Sequence, residues 1–144
     1  MSNRQPIGVF DSGIGGLTVV KAIRDRLPNE TIVYLGDTAR VPYGPKSPET
    51  VQRYALELAH MLMTKNAKAL VVACNTVSSV ALPLLTKKFS VPVIGVIEPG
   101  ARAALEATRN QHVGVIGTRA TIRSGAYEKA LRATDNNVRV SSCA

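Results

Sequence analysis

Short apolar runs rich in β-branched residues alternate along this chain with segments of helical periodicity, and no other feature of the sequence constrains the fold as strongly. Such alternation is the signature of an α/β fold, with a parallel sheet and flanking helices. The run at residues 69–73 is apolar throughout, as expected of a strand that is covered on both faces. Strands are predicted over residues 7–10, 31–35, 69–73, 93–97 and 112–116, and another begins at Val138.

Helices are predicted between these strands. Ser47 and Pro48 mark a helix start, because serine is a favoured cap and proline suits the first helical position. An apolar stripe at helical spacing follows and predicts a face packed in the core. The stripe consists of Val51, Tyr54, Ala55, Leu58, Met61 and Leu62. Another predicted helix has Val20, Ile23 and Leu27 on one face and is ended by Pro28. Three further helices are predicted over residues 80–85, 101–108 and 124–133, and Pro83 stands early in the first of them.

The segment Glu98-Pro99-Gly100 predicts a joint between two lobes. Residues 1–97 then form a first α/β lobe, and residues 98–144 begin a second one. A complete α/β unit carries a helix that covers each strand, and none is predicted after the strand that begins at Val138. We therefore expect the second lobe to be truncated.

Composition argues against several classes of function. The chain has 144 residues, of which 45% are hydrophobic, so it can form a globular core. Its formal net charge is +8, but the basic residues are scattered and only 4% of residues are aromatic, which argues against nucleic-acid binding. No apolar run approaches the ~20 residues of a membrane helix, and the start of the chain carries no signal-peptide pattern. We expect a cytoplasmic protein with neither a membrane nor a nucleic-acid partner.

Small polar side chains follow several predicted strands at the point where each strand ends. In open α/β sheets, ligands bind beyond the carboxyl ends of the strands, so these side chains are candidates for one common site. They are Asp11, Ser12, Asp37, Thr38, Cys74, Asn75 and Thr76, with Thr118 and Thr121 as weaker members.

Two of these residues carry groups capable of chemistry. Cys74 stands where a strand passes into a helix, and the positive end of a helix dipole favours a thiolate there. A thiolate is a nucleophile and a proton acceptor, but a lone cysteine is also often an inert buried side chain. Asp11 precedes a glycine-rich turn, where a carboxylate orients an ammonium group, takes part in proton transfer or simply caps the turn. These alternatives stay open at this point.

The glycine-rich turn contains Gly13, Gly15 and Gly16, which let backbone N–H groups approach an anion. Their spacing matches neither the dinucleotide fingerprint nor the P-loop. Asp37 nevertheless stands where the ribose-binding acid of a dinucleotide fold would, so a Rossmann-like nucleotide-binding module without catalysis is an alternative. Cys143 is too distant from Cys74 in sequence to predict a disulfide framework or a zinc site, and no metal is expected.

Several motifs occur in an order that resembles bacterial glutamate racemase, within the aspartate/glutamate racemase superfamily. The likeness runs through nearly the whole chain from Ile7 onward. The motifs are residues 9–19 (Val-Phe-Asp-Ser-Gly-Ile-Gly-Gly-Leu-Thr-Val), 34–40 (Tyr-Leu-Gly-Asp-Thr-Ala-Arg) with 42–44 (Pro-Tyr-Gly), 73–76 (Ala-Cys-Asn-Thr), 98–100 (Glu-Pro-Gly) and 117–121 (Gly-Thr-Arg-Ala-Thr).

The resemblance implies a two-lobed racemase fold and a cofactor-independent interconversion of L- and D-glutamate that supplies D-glutamate for peptidoglycan. Two cysteines are implied on opposite faces of the substrate Cα, so that one thiolate removes a proton and the other thiol delivers one. By the resemblance, Cys74 is the first catalytic cysteine, and Asp11 is the carboxylate that assists it near the substrate's amino group. The implied substrate-binding positions are Asp11, Ser12, Tyr43, Gly44, Asn75, Thr76, Thr118 and Thr121.

One family motif is absent, because the second cysteine belongs to a Gly-Cys-Thr-His segment and no Cys-Thr-His occurs in these 144 residues. Cys143 stands in a different context and is not assigned that role. We therefore expect an N-terminal portion that does not racemise glutamate by itself. Glutamate is the expected small-molecule partner, and an exposed apolar edge would favour a homodimer. A sister racemase that acts on aspartate is a further alternative.

Overall fold

Two parallel sheets with flanking helices make up the computed structural model, which describes residues 5–144. The first residues of the chain, where no signal-peptide pattern is predicted, lie outside the described part. The elements are, in chain order, β1 (Ile7–Asp11), α1 (Leu17–Arg26), β2 (Ile32–Gly36), α2 (Pro48–Met63), β3 (Ala69–Val72), α3 (Asn75–Lys88), β4 (Val93–Gly95), α4 (Ile97–Ala107), β5 (His112–Ile116), α5 (Arg119–Ser124), α6 (Ala126–Thr134) and β6 (Arg139–Cys143). The predicted α/β fold with a parallel sheet is confirmed.

The four-stranded sheet has the order β2-β1-β3-β4, and all of its pairings are parallel. In its register Asp11 lies opposite Gly36, and Phe10 lies opposite both Leu35 and Val72. The carboxyl ends of β1, β2 and β3 therefore meet at one edge of the sheet. This edge is where the polar residues that follow these strands come together.

Both faces of this sheet are covered by helices, as the apolar run at residues 69–73 predicts. Successive side chains of a strand point to opposite faces. Leu70 and Val72 accordingly pack into the core formed with α2 and α3, while Val71 and Ala73 belong to the smaller core beneath α1. Helix α2 begins as predicted, because the hydroxyl of Ser47 accepts a hydrogen bond from the backbone N–H of Thr50.

The second sheet contains β5 and β6, and apolar side chains of α4 and α6 share a core with it. Its core consists of Ala101, Leu131 and Val138, with the partly buried Val113 and Val115 from alternate positions of β5. The positions between them lie on the other face, which leaves 90% of Ile116 exposed. This sheet is therefore covered on one face, within the part of the chain that the structure describes.

Several predicted details are corrected by the structure. Met61 is 56% exposed, because its position turns away from the stripe that packs in the core. Leu27 lies beyond the end of α1 and is half exposed. Helix α3 extends well beyond residues 80–85, so Pro83 stands past its middle instead of near its start.

The segment predicted as a joint lies in the first turn of α4. Strand β4 ends at Gly95, and α4 begins at Ile97. Pro99 is accommodated there because the N–H groups of the first turn have no partner within the helix. The division into lobes at residues 97 and 98 stays a prediction.

The helix predicted over residues 124–133 corresponds to α6, and the short helix α5 that precedes it was not predicted. Gly125 separates them with a φ of 64°, a left-handed conformation that glycine adopts readily. None of the helices in residues 5–144 has the length and hydropathy needed to cross a membrane.

Replacing Leu62 by alanine is expected to lower the free energy of unfolding by about 2–5 kcal/mol, because a buried leucine leaves a cavity behind. Only 1% of Leu62 is exposed. The adjacent substitution Met61→Ala is the matched control, and we expect a change below about 0.5 kcal/mol because that side chain faces solvent. Urea denaturation followed by circular dichroism measures both values. Equal losses would contradict the orientation of α2 described above.

Candidate active site

A cleft of about 740 Å³ opens between the carboxyl edge of the four-stranded sheet and the helices of the second sheet. It brings together polar residues from the loop after β1, the start of α3 and the start of α5. Those that line it are Asp11, Ser12, Cys74, Asn75, Thr76, Thr118 and Thr121, together with Tyr127. Much of the remaining lining is apolar, which limits the water that can compete for these groups.

Asp11 organises the loop that follows β1. Its Oδ2 accepts hydrogen bonds from the backbone N–H groups of Gly13 and Gly16, each at 3.1 Å. Gly16 has to be glycine, because a Cβ there would lie 2.7 Å from the Cβ of Asp11. Asp11 therefore caps the turn and also lines the cleft, so capping does not exclude a role toward a ligand.

Tyr34, which no sequence pattern singles out, holds this loop from the neighbouring strand β2. Its hydroxyl donates a hydrogen bond to the carbonyl oxygen of Gly13 at 2.8 Å. Burial raises the pKa of Tyr34, and the nearby groups of Asp11 and Cys74 raise it further, so the hydroxyl stays protonated as a donor. Gly36 makes the approach feasible, because a Cβ there would lie only 2.1 Å from the same carbonyl oxygen.

Cys74 lies beside the Asp11 loop at the start of α3. It follows β3 in an extended conformation and is the N-terminal cap residue of α3. Its Sγ donates a hydrogen bond to the Oγ of Ser12 at 3.3 Å, and only 6% of the residue is exposed. The sulfur thus contacts both the core and the polar wall of the cleft.

Three threonine hydroxyls form a triangle across the cleft. The Oγ1 atoms of Thr76 and Thr118 are 2.9 Å apart, those of Thr118 and Thr121 are 3.0 Å apart, and the third side measures 3.4 Å. Thr118 also caps α5 by accepting a hydrogen bond from the backbone N–H of Thr121. The triangle joins the first turn of α3 to the first turn of α5, so the weaker candidates of the sequence analysis do lie with the stronger ones.

Tyr43 and Gly44 do not line the cleft. Tyr43 is buried, and its hydroxyl donates a hydrogen bond to Oδ2 of Asp37. Burial and this hydrogen bond raise the pKa of Tyr43 well above its usual range. Gly44 packs behind the threonine triangle, where a Cβ would lie 2.7 Å from the Cβ of Thr118.

The position of Asp37 argues against the nucleotide-binding alternative. Its Oδ2 accepts hydrogen bonds from Tyr43 and, at 2.6 Å, from Nε of Arg40. Arg40 also forms an ion pair with Glu57. Asp37 is 8% exposed and its carboxylate holds the loop after β2 in place, so it is not presented to a ribose hydroxyl.

Asn75 is held by Tyr127, which no sequence pattern indicates as a site residue. Its Oδ1 accepts a hydrogen bond from the hydroxyl of Tyr127 in α6, at 2.6 Å. Burial raises the pKa of Tyr127, so this hydroxyl is a stable donor.

No group of three or more histidine, cysteine, aspartate or glutamate side chains is placed to hold a metal ion within residues 5–144. Cys143 is exposed on β6 and is not among the residues that line the cleft. Of the two cysteines in the sequence, Cys74 alone contributes a thiol to this cleft.

These features define an α/β protein with a thiol and a carboxylate in one cleft, and sequence comparison identifies the class. The chain belongs to the Asp/Glu/hydantoin racemase family, whose sequence model matches residues 17–144. Its relatives include glutamate racemases, so the resemblance stated from the motifs is confirmed. The glutamate racemase of Geobacter metallireducens is 60% identical over 134 residues, which cover 93% of this chain and 50% of that protein.

Solved structures agree with this assignment. The glutamate racemase of Bacillus anthracis superposes with a TM-score of 0.93 at 51% identity, over 96% of this chain and 52% of that one. The glutamate racemase of Francisella tularensis, solved in complex with D-glutamate, superposes with a TM-score of 0.87 at 45% identity, over 96% and 52%. The chain therefore spans about half the length of the relatives it matches.

Gly36→Ala is expected to lower the free energy of unfolding by about 1–3 kcal/mol, because the new methyl group must displace the backbone of the Asp11 loop. Gly114→Ala is the matched control in β5, since a Cβ there would meet nothing within 4 Å. Chemical denaturation compares the two variants. A Gly36→Ala protein as stable as Gly114→Ala would show that the loop does not lie against β2.

Alkaline pH is expected to destabilise the folded chain partly through Tyr43. The pKa of Tyr43 is raised in the folded state, whereas an unfolded tyrosine ionises near about pH 10. Stability from this group is therefore fully present below about pH 10 and is lost as pH rises beyond it. Tyr43→Phe should show a smaller loss of unfolding free energy between about pH 8 and about pH 11. An unchanged loss would place the alkaline sensitivity elsewhere, with Tyr34 and Tyr127 as the other tyrosines of raised pKa.

Proposed function

We propose that this chain contributes one half of a glutamate racemase site, in which Cys74 transfers a proton at one face of the substrate Cα. The observation that carries the proposal is the position of the thiol. It stands at the start of α3, lines the cleft and lies 3.3 Å from the Oγ of Ser12 in the loop that Asp11 organises. A cysteine accepts a proton only in its thiolate form, so the proposed step starts from deprotonated Cys74.

The proposed step removes the α-proton of glutamate. The Cys74 thiolate takes the proton as a thiol, and the electron pair of the Cα–H bond stays on Cα, delocalised into the α-carboxylate. Asp11 is the carboxylate that faces the substrate's ammonium group and assists the cysteine. Because the α-proton is a very weak acid, donors placed at the α-carboxylate have to stabilise the charge that develops there.

The cleft offers donors of the kind that two carboxylates require. Ser12, Asn75 and Thr76 are the substrate-binding positions beside the thiol, and Thr118 and Thr121 add hydroxyls from the facing side. In the free protein each hydroxyl of the threonine triangle is hydrogen-bonded to another hydroxyl of the triangle. A bound carboxylate therefore accepts a hydrogen bond from a hydroxyl that otherwise donates within the triangle. Tyr43 and Gly44 lie behind the threonine triangle and act through the contact of Gly44 with Thr118.

Inversion requires a second proton-transfer group on the opposite face, because a single base returns the proton to the side from which it came. Cys74 is the only thiol in this cleft. We therefore propose that the 144-residue chain exchanges the α-proton at one face without racemisation, and that a Cys-Thr-His segment supplies the other face in the complete site. The complete enzyme provides D-glutamate for peptidoglycan in the cytoplasm and needs no cofactor.

The test is the exchange of the α-proton in heavy water, followed by NMR for L- and D-glutamate separately. One enantiomer is expected to gain deuterium with retention of configuration, while the other is unchanged. Cys74→Ala should reduce the exchange to the background rate, and Asp11→Asn should slow it by about 10²-fold while keeping an oxygen that accepts the two backbone bonds. Aspartate, offered in place of glutamate, tests the specificity.

Cys143→Ala is the matched control, because it removes the exposed thiol and is expected to leave the exchange unchanged. Exchange that persists in Cys74→Ala would refute the role of this thiol. Turnover from L- to D-glutamate by the unmodified chain would refute the proposal that only one face is served.

A further inference from the structure

We propose that Tyr127 is a positioning residue that orients the side-chain amide of Asn75 with its NH₂ group toward the cleft. This inference rests on the proposed function, because it assigns the donor that Asn75 offers to a substrate carboxylate. Tyr127 itself is not a catalytic residue in this proposal.

The contact between the two side chains defines the orientation. The hydroxyl of Tyr127 donates to Oδ1 of Asn75 at 2.6 Å, a short distance for an uncharged pair. With Oδ1 engaged by α6, the Nδ2 group lies on the other side of the amide. Asn75 is an exposed residue that lines the cleft, so its two N–H donors are accessible there.

An asparagine amide needs such a partner in order to act as a specific donor. Its oxygen and nitrogen ends are nearly equal in shape, and the χ2 torsion that exchanges them is broad. An amide that presented Oδ1 to a carboxylate would repel it, whereas the NH₂ end binds it. Selecting one orientation before the ligand arrives removes an ordering cost from binding.

The hydroxyl is itself confined by a third element. Gly100 in α4 lies directly beside it, where an added Cβ would be 3.3 Å from the Tyr127 Oη. The ring of Tyr127 packs against the core of the second sheet, beside Ala101 and Leu131. The orientation of a side chain on α3 is therefore set by residues of α4 and α6, on the opposite side of the cleft.

Nitrogen-15 relaxation of the Asn75 side-chain amide tests the contact directly in the unliganded 144-residue chain. We expect an ordered Nδ2 group in the unmodified chain and a mobile one in Tyr127→Phe, which keeps the ring and loses only the hydroxyl. Tyr54→Phe is the matched control, because Tyr54 lies outside the cleft and its ring packs under Arg40. An Asn75 amide that is equally ordered in Tyr127→Phe overturns the proposal.

Glutamate titration tests the consequence for binding. Tyr127→Phe is expected to weaken binding by about threefold to tenfold, which corresponds to one neutral hydrogen bond, while Tyr54→Phe leaves it unchanged. Gly100→Ala is a second variant, since it crowds the hydroxyl while alanine favours the helix more than glycine does. It should weaken binding without lowering the midpoint of thermal unfolding, a combination that a merely structural role would not produce.

The relaxation experiment and the titration distinguish a failure of this inference from a failure of the proposed function on which it rests. Failure of the unmodified chain to bind glutamate would refute the proposed binding function, while the relaxation data would still decide whether Tyr127 orders the amide. Normal glutamate binding in both Tyr127→Phe and Gly100→Ala would refute the positioning role alone.

Discussion

The parallel pairing of β1 with both β2 and β3 is the constraint on which the rest of this structure depends. Parallel strands end at a common edge, so the residues that follow them meet there although they are distant in sequence. Asp11, at the end of β1, and Cys74, just beyond β3, come into one cleft for this reason. A shift of one residue in this register would turn Asp11 to the other face of the sheet. Which side chains meet in the cleft thus depends first on strand pairing and only then on the conformation of any one loop.

The close approach of neighbouring backbone segments is the second condition, and glycine residues make it possible because they have no Cβ. The sequence predicted that the glycine-rich turn lets backbone N–H groups approach an anion. In the structure the N–H groups of Gly13 and Gly16 bind the carboxylate of Asp11, so the anion they approach is part of the chain. Gly36 makes room for the same loop from β2, and the hydroxyl of Tyr34 fastens it. The Asp11 carboxylate is held in place before any ligand is present, which is the condition for electrostatic assistance without reorganisation.

The two sides of the cleft meet through polar contacts whose geometry is directional. The threonine triangle joins α3 to α5, and Tyr127 joins α6 to Asn75. Hydrogen bonds depend strongly on distance and angle, so they specify how the two sides face each other in a way that apolar contact does not. Hydrogen-bond donors therefore line both sides of the cleft, and the hydrogen bond of Tyr43 with Asp37 holds the segment whose next residue, Gly44, packs against Thr118.

The sequence by itself determined the α/β class, the strands and the cluster of polar residues at their ends, because apolar periodicity and strand-end chemistry are local properties. It could not determine that Met61 faces solvent, or that the carboxylate of Asp37 is hydrogen-bonded to Tyr43 and Arg40. Both depend on the tertiary packing around the residue. The hydrogen bonds of Tyr34 and Tyr127 could not be predicted for the same reason, because their partners lie 21 and 52 residues away in the chain. Which hydroxyl reaches which loop is decided only when the sheets and helices are packed, because contacts of that sequence separation leave no periodic trace in the residues themselves.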